Sequence, residues 1–158
     1  MNKNILFVCL GNICRFPSAE AVMNGLIKRD GLENEIQCDS AGILNYHAGE
    51  PADERMQAHA IKRGYFLTSI SRQIDPKKDF DQFNMIIGMD DKNITKLISL
   101  ARNDEDRKKI QKMTDFCLKP DYDQIPDPYY GGEQGFELVL DILEDACEGL
   151  LNHLRNEK

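Results

Sequence analysis

At 158 residues, 41% of them hydrophobic, the chain is about one domain long and can bury a proper core. A net charge of −7 argues against general binding to nucleic acid or to anionic membranes, and no apolar stretch approaches the span of a bilayer. Met1 to Asn4 lead straight into apolar residues, so no signal peptide is expected. Five cysteines at irregular spacing make neither a disulfide framework nor a paired metal motif, and a reducing cytoplasm is the natural compartment.

The first element is a short apolar run, Ile5 to Val8, with the character of a strand buried on both faces. A tight loop with Gly11 and Asn12 follows, and Pro17 suits the first turn of a helix reaching about Asp30, with Gly31 as its stop. Glu35 to Ser40 reads as a second strand, ended by Ala41 and Gly42. After a loop over 43–50, Pro51 is expected to start a helix that Gly64 terminates, with Met56, Ala60 and Ile61 on one face. Asp75 and Pro76 turn into a short helix, and Met85 to Met89 is a third apolar strand. Asp90 or Asp91 could cap the next helix, which carries Ile94, Leu97, Ile98 and Ala101 at helical spacing. Residues 102–109 are mostly charged and read as a solvated surface segment. A weak fourth strand is expected at Met113 to Leu118. The final helix runs from about Glu133 to Leu154, with Leu138, Ile142, Ala146, Leu150 and Leu154 sharing a face. There is no internal repeat and no linker, so residues 1–158 read as a single domain. The alternation implies an α/β fold, a parallel sheet with helices on both faces.

The chemistry is concentrated in the first loop. A strand, a tight turn and a helix start aim successive backbone N–H groups inward at a helix N-terminus, which makes an anion cradle. Cys9 sits at its mouth and Arg15 closes it. A thiol near a helix N-terminus and a cation has a lowered pKa, and an arginine fork matches two phosphate oxygens. Cys-x5-Arg alone is a weak motif; its place between an apolar strand and a helix start gives it weight. The plainer alternative makes Cys9 a buried structural thiol.

Residues 119–132 form a long loop with three prolines, two terminal glycines and three tyrosines. Loops of this length inside compact domains tend to be functional or disordered. Asp127 lies between Pro126 and Pro128, which restricts it to extended conformations. A rigid acid beside aromatic rings suits a site that protonates a leaving group and holds a flat substrate, although Asp-Pro also makes ordinary turns. In open α/β sheets, ligands bind beyond the carboxyl ends of the strands, and both loops follow strands.

Val8-Cys9-Leu10-Gly11-Asn12-Ile13-Cys14-Arg15 with Pro17, Asp39-Ser40-Ala41-Gly42, Arg72-Gln73, Met89-Asp90 and Asp127-Pro128-Tyr129-Tyr130 resemble the low-molecular-weight protein tyrosine phosphatases over essentially the whole chain. The resemblance implies an open, twisted, four-stranded parallel sheet with the phosphate-binding loop after strand 1. It makes Cys9 the nucleophile, Arg15 the phosphate clamp and Asp127 the general acid. Residues Leu10, Gly11, Asn12, Ile13, Cys14 and Arg15 would hold the phosphate. Asn12 and Ser40 would belong to a hydrogen-bond network behind the loop, and Tyr46, Tyr129 and Tyr130 to the walls of the substrate cleft. A tyrosine-phosphorylated protein is the implied substrate and inorganic phosphate the product. No cofactor and no metal are implied, because Arg15 and the loop N–H groups supply the positive field; His47, His59 and His153 have no ligand spacing.

Cys14, five residues after Cys9, has the spacing of a resolving thiol beside a low-pKa thiolate, the arrangement of a redox-sensitive site. Two positions depart from the family pattern. Phe16 stands where a Ser or Thr usually supports the nucleophilic sulfur, and Ser69 stands where many relatives have His. These departures motivate an alternative, a phosphate-binding module with little turnover. Arsenate reductases of the same fold need two further redox cysteines after the third strand, where this chain has Cys117, with Cys147 far along the last helix. For a phosphoarginine phosphatase of the same fold, the paired tyrosines after Pro128 are a poor match.

Overall fold

The computed structural model describes residues 3–9, 15–44, 49, 51–68, 72–118 and 132–156. Strand β1 (Lys3–Cys9) is its centre, with Ile5, Leu6, Phe7, Val8 and Cys9 all fully buried. It pairs in parallel with β2 (Ile36–Gly42) on one side and β3 (Met85–Gly88) on the other. A three-residue strand, β4 (Ile110–Lys112), adds to β3, so the sheet order is β2-β1-β3-β4, all parallel.

Helices cover both faces, as an apolar central strand requires. Alternate residues of β1 feed two cores. Ile5, Phe7 and Cys9 pack with α1 (Arg15–Arg29) and α6 (Gly132–Asn156), whose Val139, Leu143, Ala146 and Leu150 are buried against α1. Leu6 and Val8 pack on the other face with Phe80 of α3 (Pro76–Gln82) and Leu97 of α4 (Asp91–Leu100). Helix α2 (Glu54–Ile61) joins the α6 side.

Caps set most of these boundaries. Asp53, Asp75 and Asp90 accept first-turn N–H groups of α2, α3 and α4, satisfying donors a helix leaves open. Thus α2 begins after Asp53, three residues later than Pro51 would place it. Gly64 closes the turn after α2 with φ of 86°, a conformation few other residues accept.

Three expectations need correction. The fourth strand is Ile110–Lys112, and Met113–Phe116 is a 3-10 helix. Residues 104–109 form a helix, α5 (Asp104–Lys109), capped by Asn103; within it Asp106 is buried and ion-paired to Arg102. Ile61, Ile98 and Leu138 are exposed rather than core, each lying at the edge of its helix's apolar stripe.

Candidate active site

The sheet order places a reversal between β1 and β3: the chain leaves β1 toward β2 and returns across it to β3. In doubly wound sheets the crevice at the carboxyl ends of the two strands flanking such a reversal is where ligands bind. Cys9 is the last residue of β1, and α1 starts at Arg15. Five residues therefore connect strand to helix at that crevice. Leu10, Gly11, Asn12, Ile13 and Cys14 lie outside the described residues, as do Tyr46, Ser69, Asp127, Tyr129 and Tyr130. For Arg15 and Phe16 the backbone is described, in the first turn of α1, and the side chains are not.

Cys9 is fully buried, in contrast to the exposed thiol that a resolving-thiol arrangement calls for. Its backbone is held on the β2 side. Cys9 pairs with Gly42 in β2, and its carbonyl accepts the N–H of Ile43 at 2.9 Å. The other described cysteines make poor nucleophiles. Burial pushes the Cys38 and Cys147 thiols well up, and burial with Asp145 nearby raises Cys117 to about 11. A thiol so raised is not ionised at neutral pH and is inert. Among described cysteines, only Cys9 stands at the carboxyl end of a strand followed by a helix N-terminus. The raised Cys117 and Cys147 are also unsuited to the redox relay of an arsenate reductase.

Ser40 donates to Glu20 Oε1 at 2.5 Å, linking β2 to the second turn of α1. Beyond β2, Gly42 gives its N–H to the Arg72 carbonyl and accepts from Ile74 N–H, each at 2.8 Å, so residues 72–74 extend the sheet past its edge. Gln73 Nε2 donates to the Ile43 carbonyl at 3.1 Å. The guanidinium of Arg72 bridges Asp39 and the buried Asp79, with contacts of 3.1 Å to each. This cluster fixes the start of the 43–50 loop directly beside Cys9.

On the opposite flank, His59 of α2 is stacked on Phe136 with ring centroids 5.3 Å apart and contacts Glu137 through Nδ1. Arg63 reaches Glu137 at 2.6 Å and Asp141 at 2.9 Å. The two helices so joined follow the loops that carry Tyr46 and Asp127. His59 is thus a partly buried contact residue rather than an ordinary surface histidine. Glu20, His59 and Asn93 were not singled out by motif, whereas Gln73 was quoted with Arg72. Only Asn93 carried a local signal, its spacing three residues after the capping Asp90.

A family model, Low molecular weight phosphotyrosine protein phosphatase, matches residues 4–158. This chain belongs to that family. A crystal structure of a protein tyrosine phosphatase from Entamoeba histolytica, with Hepes in the active site, superposes with a TM-score of 0.93. It is 47% identical and covers 98% of this chain and 97% of its own. The low molecular weight protein-tyrosine-phosphatase YfkJ of Bacillus subtilis is 40% identical over 98% of this chain and 97% of its own length. Its crystal structure superposes with a TM-score of 0.91. The low molecular weight phosphotyrosine protein phosphatase of Gallus gallus is 39% identical, with 94% of each chain covered. As a low molecular weight tyrosine phosphatase, the protein is an enzyme that acts on phosphorylated protein, and its four-stranded parallel sheet is the family fold.

Proposed function

We propose that the enzyme hydrolyses phosphotyrosine by double displacement through Cys9, Arg15 and Asp127, within one domain spanning residues 1–158. The supporting observation is the position of Cys9: the last residue of the central strand, at the sheet's reversal, one short loop before the N-terminus of α1. A phosphoryl group bound there meets the helix dipole and the loop N–H groups, which favour negative charge.

In the first step the Cys9 thiolate attacks phosphorus, and the bond to the tyrosine oxygen breaks. Arg15 and the N–H groups of residues 10–15 hold the equatorial oxygens as charge develops. Asp127 gives its proton to the departing phenolate. A phosphocysteine remains. In the second step Asp127, now a carboxylate, takes a proton from water, water attacks phosphorus, and the Cys9 thiolate leaves with inorganic phosphate as product. Asn12 and Ser40 steady the loop, and Tyr46, Tyr129 and Tyr130 line the cleft for an aromatic substrate. No described helix is long and apolar enough to cross a membrane. We read the compartment as the cytoplasm, because Cys38, Cys117 and Cys147 are free thiols and reducing compartments keep them so. Cys14 would be the resolving thiol of a peroxide-sensitive pair once peroxide reaches the buried Cys9 sulfur: peroxide oxidises Cys9 to a sulfenic acid, and the Cys14 thiol displaces water to form the disulfide. Peptide mapping after peroxide should find that disulfide, reversible by dithiothreitol.

The test is aryl phosphate hydrolysis by the wild type and two variants. Cys9→Ser is expected to abolish turnover while still binding phosphate. Asp127→Asn is expected to slow poor leaving groups far more than good ones. Equal losses for both would remove Asp127 from the acid's role, and an active Cys9→Ser enzyme would remove Cys9 from the nucleophile's.

A further inference from the structure

Arg72 and Gln73 belong to the family pattern, yet neither takes part in the proposed chemistry. Their surroundings lead to Cys9. Pairing of β1 with β3 ends at Val8 and Gly88, one residue short of Cys9, whereas pairing with β2 runs on through Cys9 and Gly42. β2 is an outer strand of the sheet. An outer strand is prone to fray at its end, because the N–H and C=O groups on its open side have no ladder partner. Here an isolated bridge between Gly42 and Gln73 closes that side, level with Cys9.

One peptide group carries the connection. The Gly42 carbonyl accepts the Ile74 N–H at 2.8 Å, and at the other end of the same peptide Ile43 N–H donates to the Cys9 carbonyl at 2.9 Å. The following peptide is clipped by Gln73 Nε2, which donates to the Ile43 carbonyl at 3.1 Å. Hydrogen bonds in such a row polarise and strengthen one another. The segment that supplies the outer half of the row is itself anchored. Arg72 spans both oxygens of the buried Asp79 at 3.1 and 3.2 Å and reaches Asp39 of β2 at 3.1 Å, while the Ile74 side chain is buried in the core beneath. Gln73, by contrast, is exposed, and exposed side chains contribute little to global stability. Its bond acts locally, on the backbone that Cys9 is paired with. A nucleophile displaced by about 1 Å can lose on the order of a hundredfold in rate, so small shifts of this backbone matter.

Resting on the phosphotyrosine reading above, we infer that Gln73, carried on the Arg72 anchor, is a positioning residue for the nucleophile: it holds the backbone of residues 42–44 against Cys9 and so sets where the sulfur meets phosphorus. It acts through Ile43 and not on the substrate.

The experiment joins two measurements on Gln73→Met, which keeps the length of the side chain and removes its donor. Hydrogen exchange of the Ile43 amide, read by NMR against that of Phe7 in the middle of β1, reports the bond to the Cys9 carbonyl. It should speed up about three- to tenfold. Single turnover of an aryl phosphate with a good leaving group, enzyme in excess, reports attack by Cys9 without calling on Asp127. It should slow about tenfold with an unchanged melting temperature. Gln73→Glu has the same shape and no donor, and at high salt, where its charge is screened, it should behave as Gln73→Met does. The inference is overturned if single turnover in either variant matches the wild type, whatever Ile43 does. It is equally overturned if the rate falls while Ile43 exchange is unchanged, since Gln73 then acts by another route. If Cys9→Ser still releases the phenolate, Cys9 is not the nucleophile; that failure belongs to the mechanism above and takes the inference with it.

Discussion

Ser40, at 2% exposure, gives its hydroxyl proton to Glu20, and so joins the central sheet to the helix that follows the phosphate loop. The same turn of α1 is held a second time, by Cys38 Sγ against the Glu20 carbonyl at 3.7 Å. Removing the Ser40 hydroxyl takes one donor from the part-buried Glu20 carboxylate, a loss of about 1–3 kcal/mol. Ser40→Ala should therefore lower the urea midpoint by an amount in that range and reduce kcat/KM several-fold. Glu20→Gln keeps an acceptor for the hydroxyl and should retain most of the stability. An unchanged midpoint in Ser40→Ala would show that the bond carries no net stability.

Arg72 is the cation that keeps the buried carboxylate of Asp79 in place, sharing it with the N–H of Asp75 at 2.7 Å. Breaking a buried pair on one side leaves an uncompensated charge and typically costs about 3–5 kcal/mol. Because Arg72 is itself about one-third exposed, water will compensate part of this. Arg72→Met should destabilise by about 2–3 kcal/mol, and Arg72→Met with Asp79→Asn should recover a good part of it. Thermal denaturation of the wild type, Arg72→Met, Asp79→Asn and the double variant gives the cycle. Full additivity would mean that the two side chains do not stabilise each other.

The acid side of the stability profile follows from the carboxylates that arginines hold down. Hydrogen bonding to Arg102 keeps Asp106 below its ordinary value of 3.8, and Arg63 and His59 keep Glu137 below 4.5. The unfolded chain then binds more protons than the folded one as pH falls past these values. Their contribution is full at neutral pH and is lost on acidification through the lowered folded values. Stability should be flat above about pH 5 and drop below about pH 4, and Asp106→Asn should flatten that drop. Guanidinium melts at fixed salt across pH 3–7 measure it. A drop as steep in Asp106→Asn as in the wild type would place the acid sensitivity elsewhere.

Much of this architecture was legible because a few residues have strong physical reasons to be where they are. Four consecutive apolar residues before Cys9 have one comfortable place, the middle of a parallel sheet, and Pro17 and Gly31 mark the ends of α1. The fourth strand was misplaced because it has only one apolar residue, Ile110, and takes its pairing from β3 rather than from its own pattern. The acidic and basic residues of α5 hide its one inward residue, Asp106, whose burial depends on Arg102. The support around Cys9 was the least readable part. Glu20 with Ser40, and Arg72 with Asp79, become partners only after the sheet and helices are assembled, and no local spacing announces them.

Phe16 is the departure with the clearest kinetic consequence. A hydroxyl at this position would donate to the Cys9 sulfur, and that bond matters most when sulfur carries negative charge. In the proposed hydrolysis of the phosphoenzyme the thiolate is the leaving group, so losing this hydroxyl should slow that half of the reaction most. A hydrogen bond to a charged group is worth about 1.5–3 kcal/mol, or roughly 10- to 100-fold in rate. Ser40 is no substitute, since its single proton is already committed to Glu20. During the reaction the phosphoryl oxygens claim the backbone N–H groups of the loop. Rapid mixing with an aryl phosphate should show a burst followed by slow turnover, and Phe16→Ser should raise the steady-state rate about tenfold or more while shrinking the burst. If Phe16→Ser stays folded and its steady-state rate is unchanged, the sulfur does not depend on a hydroxyl at position 16, and the burst should be absent from the wild type as well.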